Sequence, residues 1–551
     1  MKDISILIGG KSGDGIESSA PIIAKIFNQY GYYIHIYRDY PSLIRGGHTF
    51  SIIRASEKPI GAYKDKVDVI LALNQDCVDK HKERISKNTL IIYDKNQVKA
   101  KGQEIDLTKM VQELNAPSVV RNTGLVGAMC KAFNISWIVA EKVIKNNTPK
   151  KVDVNLKIAK KAYGKAGIKF KIEKLKRKPL PMLSGNEAVS YGLVKVGLES
   201  YIAYPMTPAS SILHTLADKA EDFDLKVVHA ESEIGVMLMA NGAAYAGSRV
   251  AVGTSGGGFC LMTEGVSLAG MAELPVAIVM SQRSGPASGI PTYNAQADLN
   301  FVLNAGHGEF LRIVVAPGDA EQAYFWSGTA LNLAWKYQTP SIILIDKAIS
   351  ESVFSFDPKV AGQIKKEKEL LWNREGEYKR YKFTKNGVSP LAFPGNKKAV
   401  AKTTSYEHDE HGITTEDPAP AVLMQEKRLT KEVELLDEIE KKYEAVKVYG
   451  NRKSKTALFC WGSNVGVCRE VAEELNIKVI QPIVLNPMPI KQLERALLGV
   501  KKLIDVETNA TAQMATLLKQ YNVHVNNVIL KYNSRPFSFD ELLYNSKKVL
   551  K

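Results

Sequence analysis

One pattern, repeated three times, constrains this chain more than any other: short β-rich runs alternate with segments of helical period. From Asp3 to about Asn146 the runs ISILI, YYIHIY, TFSIIRA, VDVILALN and TLIIYD alternate with stretches that can be helical, the signature of a parallel α/β sheet. YIAY, KVVHA, RVAVGTS, PVAIVMS, LRIVVAP and SIILID repeat the pattern up to Asp346, and TALFCWGS, KVIQPIVL and KKLIDVET repeat it from about Lys455. The expected fold class is α/β, with three α/β domains and mostly parallel sheets. The bounds read as 1–178 including a basic connector, 179–350, an extended linker with a charged helix over 351–452, and 453–551. Ser184 and Glu187 have capping-box spacing and mark the second start. Within the charged helix, Leu429, Val433, Leu436, Ile439, Tyr443 and Val446 predict an apolar stripe on one face.

Composition excludes several classes. At 551 residues and 45% hydrophobic the chain can bury several cores, and no apolar run approaches the roughly 20 residues of a membrane helix. MKDISILIGGKSGDG runs straight into a glycine turn without a cleavage site, so a cytoplasmic location is expected. Five cysteines, none in a Cys-x-x-Cys pair, suit neither a disulfide framework nor zinc nor iron–sulfur. Any redox cluster must then sit on another chain. The net charge of +16 suits an acidic partner, nucleic acid or a membrane surface, but lysine-rich stretches such as KKVDVNLKIAKKAYGKAGIKFKIEKLKRK read first as a solvated surface. No nucleic acid partner and no membrane span are expected.

The chemistry-bearing motifs lie where strands give way to helices. Gly9 to Gly15, GGKSGDG, follows a strand and opens a helix, so it is either a loop whose backbone N–H groups receive a phosphate or a structural strand-to-helix turn, and it fits neither the Rossmann nor the Walker spacing. Arg45, beside Gly46 and Gly47, is a bidentate oxyanion donor or the arginine of a tight hairpin. Pro205 and Pro208 frame Thr207 at a strand end, the place where open α/β sheets bind ligands, so the motif is either a binding turn or simply a proline-stiffened one. Glu231 and Glu233 precede an apolar helical run, each either a cap or a functional acid. Thr254, Ser255 and Gly256 open a glycine-rich turn that allows close approach, and Arg283 is the one cation in SQRSGPASGIPT. Glu407 to His411, EHDEH, lacks helical His-x-x-x-His spacing and reads as linker rather than metal site. Cys460 and Cys468 read as core residues.

Taken together, YPMTPASS, ESEIGVMLMANGAAYAGSRVAVGTSGGGF, QRSGPASGIPTYNAQADL, LNLAWKYQTPSIIL and EHDEHGITTED resemble the alpha subunit of 2-oxoacid:ferredoxin (acceptor) oxidoreductases, in the form with an N-terminally fused gamma domain. The likeness spans nearly the whole chain, with CWGSNVG to RPFSFDELL resembling a transketolase-C-like domain. It implies oxidative decarboxylation of a 2-oxo acid with coenzyme A to acyl-CoA, carbon dioxide and reduced ferredoxin, with 2-oxoglutarate the first substrate to test. It also implies thiamine diphosphate shared with a beta subunit that carries Mg²⁺ and a [4Fe-4S] cluster. By this resemblance Glu233 bonds the aminopyrimidine N1′, Thr207 and Arg283 hold the substrate carboxylate, and Pro205, Thr254, Ser255 and Gly256 line the cofactor pocket. Gly13, Gly15 and Arg45 are then candidates for coenzyme A. The family's common YPITPS reads YPMTPAS here, which keeps Thr207. Two readings stay open beside it: a non-oxidative thiamine enzyme, and a scaffold in which Glu233 is only a cap.

Overall fold

The computed structural model describes residues 2–42 and 47–551. In its first part lie β1 (Asp3–Lys11), β2 (Tyr33–Asp39), β3 (His48–Ser56), β4 (Val69–Ala72), β5 (Leu90–Asp94), β6 (Gln103–Ile105) and β7 (Met182–Ser184). There follow β8 (Ser200–Ala203), β9 (Lys226–His229), β10 (Val250–Thr254), β11 (Val276–Gln282), β12 (Ile313–Val315), β13 (Ser341–Asp346) and β14 (Val353–Ser355). The last are β15 (Val446–Gly450), β16 (Thr456–Cys460), β17 (Lys478–Pro482), β18 (Val484–Asn486), β19 (Lys502–Glu507) and β20 (Asn527–Leu530). They build three sheets, in the orders β6-β5-β4-β1-β3-β2-β14-β7, β18-β12-β13-β11-β10-β8-β9 and β15-β17-β16-β19-β20. The chain divides into two compact units, one of residues 1–183, 351–357 and 537–551, the other of 184–350 and 358–536.

In the first unit β1 pairs in parallel with β4 but antiparallel with β3, and β2 also runs antiparallel to β3. The sequence pattern predicts a parallel sheet here. The difference has a simple cause: the few residues between Asp39 and His48 cannot hold the helical crossover that a parallel pair requires. Strand pleating sends Ile4, Ile6 and Ile8 into one core and Leu7 into the other. Helix Ile16–Gln29 covers the first with Ile16, Ala20, Ile23 and Phe27. Each fully buried Ile or Phe contributes about 1.5–3 kcal/mol.

In the second unit β9, β8, β10, β11, β13 and β12 run parallel, as the pattern predicts. Ser184 and Glu187 form the predicted capping box, satisfying two donors at the start of helix Gly185–Lys195. β18, from the third α/β block, pairs antiparallel with β12 and so extends the second sheet. Phe459, Trp461 and Ile480 then share one core with Val252, Ile278 and Leu344.

Helix Pro418–Lys442 keeps only part of the predicted stripe: Ile439 is buried, whereas Tyr443 and Val446 lie past its end. Leu429 and Val433 are exposed, Val433 at 73%, whereas Lys427, Arg428 and Lys431 are buried. Glu273 is the reason, because it accepts from Lys427 at 2.8 and 2.7 Å and pairs with Lys431, which turns the charged face inward. Arg428 holds Glu407 of EHDEH through bonds of 3.0 and 2.6 Å, and the buried His408 ring packs tilted against Tyr381 at 3.9 Å between centroids. Among the described residues no cluster of three or more His, Cys, Asp or Glu is arranged to hold a metal ion. Nor is any described helix long and apolar enough to cross a membrane.

Candidate active site

The C-terminal ends of β8, β10 and β11, with the start of the helix after β9, bring Thr207, Thr254, Arg283 and Glu233 into one region of the second unit. Pro205, Met206 and Thr207 leave β8 partly exposed. Arg283, at the end of β11, donates from Nη1 to the Thr207 carbonyl at 2.8 Å, tying the two strand ends together. Burial lowers the Arg283 pKa, and the nearby Glu233 carboxylate acts in the opposite direction.

Glu233 is the first residue of helix Glu233–Tyr245, where a negative charge is favoured by the helix dipole. Capping falls to Ser232, whose Oγ accepts from Gly235 N at 3.4 Å. The Glu233 carboxylate is therefore free of that duty. It is 5% exposed, and its Oε1 has no hydrogen-bond partner. An unsatisfied buried polar atom costs about 1–3 kcal/mol, more when charged, so such an atom in a native fold points to a missing partner.

The turn after β10 packs against this acid. A Cβ on Gly258 would stand 2.2 Å from Thr254 Oγ1 and 2.5 Å from Glu233 Oε1, so only glycine lets the helix start close over the carboxylate. Ser255 is fully buried at the N-cap of helix Gly256–Met271, yet its hydroxyl neither caps nor finds another partner. Gly256 faces Asp298, whose carboxyl burial pushes up to about 6.

The apolar surface beside the acid is unusual for a helix pair. Helix Glu233–Tyr245 exposes Ile234, Leu238 and Met239, and helix Gly256–Met271 exposes Leu261. Helices apolar all round are normally buried, so this face is built to be covered.

Residues that sequence reading missed hold the Arg283 loop. Gln296 is fully buried; its side chain donates to Asp346 Oδ2 at 3.1 Å and the Trp461 carbonyl at 2.9 Å, and accepts from Asn464 Nδ2 at 2.7 Å and Thr508 N at 3.1 Å. The only signal available was its place in YNAQADL, because its partners lie up to 212 residues away.

The first-unit candidates are arranged differently. Gly13 and Gly15 both have positive φ, 96° and 77°, and Gly15 starts helix Ile16–Gln29. The loop satisfies itself: Asp14 Oδ2 accepts from Lys11 N at 2.8 Å, and Asn122 Nδ2 donates to the Asp14 and Gly15 carbonyls. Arg45 lies outside the described residues.

Comparison with known proteins matches this geometry to a class. A family model for pyruvate flavodoxin/ferredoxin oxidoreductase, thiamine diphosphate-binding, fits residues 191–428, and one for pyruvate ferredoxin/flavodoxin oxidoreductase fits residues 5–165. By class the chain is a thiamine diphosphate-binding oxidoreductase. The 2-oxoacid:ferredoxin oxidoreductase subunit alpha of a Sulfolobus species is 33% identical, with 100% of this chain and 97% of that protein aligned. The 2-oxoglutarate:ferredoxin oxidoreductase of Magnetococcus marinus, solved with 2-oxoglutarate, coenzyme A and succinyl-CoA bound, superposes with a TM-score of 0.91 at 29% identity over 100% of both chains. The 2-oxoglutarate synthase subunit KorA of Archaeoglobus fulgidus is 32% identical over 38% of this chain and 62% of that protein. The chain belongs to the family of 2-oxoacid:ferredoxin oxidoreductase alpha subunits.

Proposed function

We propose that this chain, paired with a beta subunit in the cytoplasm, oxidatively decarboxylates a 2-oxo acid with coenzyme A and passes the electrons to ferredoxin, with 2-oxoglutarate the first substrate. One observation carries the reading: the buried, unpartnered Glu233 Oε1 under a glycine turn. The residues fit an aminopyrimidine, since a carboxyl oxygen that lacks a partner is what a ring nitrogen bearing a proton requires. Bound thiamine diphosphate supplies an electron sink for the carbon that loses carbon dioxide. Glu233 holds the proton at the pyrimidine N1′, and its low-dielectric surroundings strengthen that bond. Pro205, Thr254, Ser255 and Gly256 line the ring's pocket, with the idle Ser255 hydroxyl as a further donor. Arg283 and Thr207 orient the substrate carboxylate, and the 2.8 Å bond from Arg283 to the Thr207 carbonyl fixes their mutual position.

The exposed apolar face of Ile234, Leu238, Met239 and Leu261 supports a beta subunit seated beside Glu233. That subunit supplies Mg²⁺ and the [4Fe-4S] cluster. Gly13, Gly15 and Arg45 remain the candidates for coenzyme A. The domain bounds proposed with this reading are a gamma domain over 1–178, a pyrimidine-side domain over 179–350, a linker and helix over 351–452, and a transketolase-C-like domain over 453–551.

The test is co-expression with the adjacently encoded beta subunit and an assay of coenzyme A-dependent viologen reduction across a panel of 2-oxo acids. Activity that needs both chains and thiamine diphosphate is expected, highest with 2-oxoglutarate. An iron-loaded complex inactive with every substrate contradicts the reading, and carbon dioxide release without dye reduction would move it to a non-oxidative decarboxylase.

A further inference from the structure

The positive charge of this protein is segregated. Residues 1–183 hold 33 Lys and Arg against 17 Asp and Glu, whereas residues 184–551 hold 41 of each, so the whole +16 lies in the first stretch. Residues 142–178 alone carry fourteen basic residues and two acidic ones. All thirteen lysines of that stretch are exposed. Lys161 pairs with Glu113 at 3.0 Å and Lys171 also has a partner, but the other eleven have no acidic partner among the described residues.

These lysines share a surface. Helix Trp137–Asn147 and helix Val152–Lys165 pack together, with Trp137 edge-on to Tyr163 at 5.4 Å and the Tyr163 hydroxyl bonded to the Ile135 carbonyl at 2.9 Å. Lys169 and Phe170 donate to the Ala132 carbonyl, bringing the connector back to the same place. Ile138 at 77% and Ile168 at 56% stand exposed among the charges.

We propose that this lysine face captures an acidic electron-carrier protein, the acceptor of the reaction, and so raises its local concentration at the enzyme. The proposal rests on the function proposed above. The residue types favour a protein over a nucleic acid. The one arginine in the stretch, Arg177, is already spent, donating to the Gly31 and Glu57 carbonyls at 2.9 and 2.8 Å and lying 3.6 Å over the Tyr33 ring. No free guanidinium fork is left among residues 142–178 to grip phosphates in two-point fashion. Trp137 and Tyr163 are packed against each other edge to ring, with Lys131 lying 5.2 Å over the Tyr163 ring, rather than standing free as stacking platforms for bases. Diffuse ammonium groups around two exposed isoleucines instead suit the small, weak, electrostatically steered contact of an electron-transfer encounter.

The test compares two variants of the assembled complex. One carries Lys157→Glu, Lys160→Glu, Lys169→Glu and Lys174→Glu; the control carries Lys385→Glu, Lys397→Glu, Lys398→Glu and Lys402→Glu, an equal charge change at exposed lysines of the second unit. Binding of a fluorescently labelled acidic ferredoxin is measured by anisotropy at low and at high salt. This arm needs no turnover, so failed docking and a failed reading of the reaction are told apart. The first variant is expected to lose about tenfold or more in ferredoxin affinity at low salt, with a flattened salt dependence, while the control binds normally. In the turnover arm its KM for ferredoxin should rise while viologen reduction and the 2-oxo acid KM stay unchanged. Unaltered ferredoxin affinity, or equal losses in both variants, overturns the proposal. So does salt-sensitive binding of duplex DNA that only the first variant loses, with ferredoxin binding intact.

Discussion

Two buried glutamates in the second unit live under opposite conditions. Glu273 is 1% exposed, and two lysines and the charge of Arg380 surround it. Glu233 is 5% exposed, and one of its oxygens has no partner at all. Burial pushes the Glu273 carboxyl up, but Lys427, Lys431 and Arg380 outweigh it and hold the group well below the usual carboxylate range. Burial alone therefore does not mark a functional acid. What singles out Glu233 is the combination of an unmade hydrogen bond with a place at the strand ends beside Arg283 and Thr254, where a ligand can make that bond.

The largest effect expected from this comparison is at Glu273. Glu273→Gln leaves two ammonium groups and a guanidinium buried without a counter-charge and should cost about 3–5 kcal/mol, read by urea denaturation of the purified chain. A loss under 1 kcal/mol would mean that water already screens the cluster.

Next comes Gly15. A Cβ there meets Asn122 Nδ2 at 2.1 Å and φ is 77°, whereas Gly13, at φ 96°, has open space around its Cβ position. Gly15→Ala should cost about 2 kcal/mol and Gly13→Ala about 1, since only the first adds a clash to the backbone strain. Equal losses would show that the Asn122 brace gives way freely.

The smallest effect is a pair of opposite pH slopes. Glu273 has a lowered folded-state pKa, so its stability is fully present above the unfolded value near 4.5 and is lost as the pH falls below it. Asp298 has a raised one, about 6 against 3.8, so the folded chain binds a proton that the unfolded chain has released. Stability from Asp298 therefore falls as the pH rises from about 4 to 6 and is level above. Asp298→Asn should remove that decline in thermal melts at successive pH values and leave the acid-side loss in place.

Much of this was legible in sequence because it is local. Strand periods gave the α/β class, Ser184 and Glu187 gave a helix start, and strand ends marked Thr207 and Arg283 as separate candidates, which only the resemblance to a known family joined with Glu233. What stayed hidden depends on residues far apart. Nothing near Gln296 announces Trp461, Asn464 and Thr508, and nothing near Leu429 announces that Glu273, more than 150 residues earlier, turns Lys427 and Lys431 inward. The antiparallel pairing of β2 with β3 was legible in loop length, yet alternation alone pointed the other way.

The central claim is that Glu233 is held for a ligand and not for the fold. The most direct measurement is Glu233→Gln in the reconstituted complex, with viologen reduction and a thermal melt on the same preparation. The account predicts a loss of activity of at least about a hundredfold with a melting temperature little changed, because the Glu233 Oε1 position makes no hydrogen bond that the fold would lose. Near-normal activity, or a collapse in melting temperature like that expected for Glu273→Gln, would contradict it.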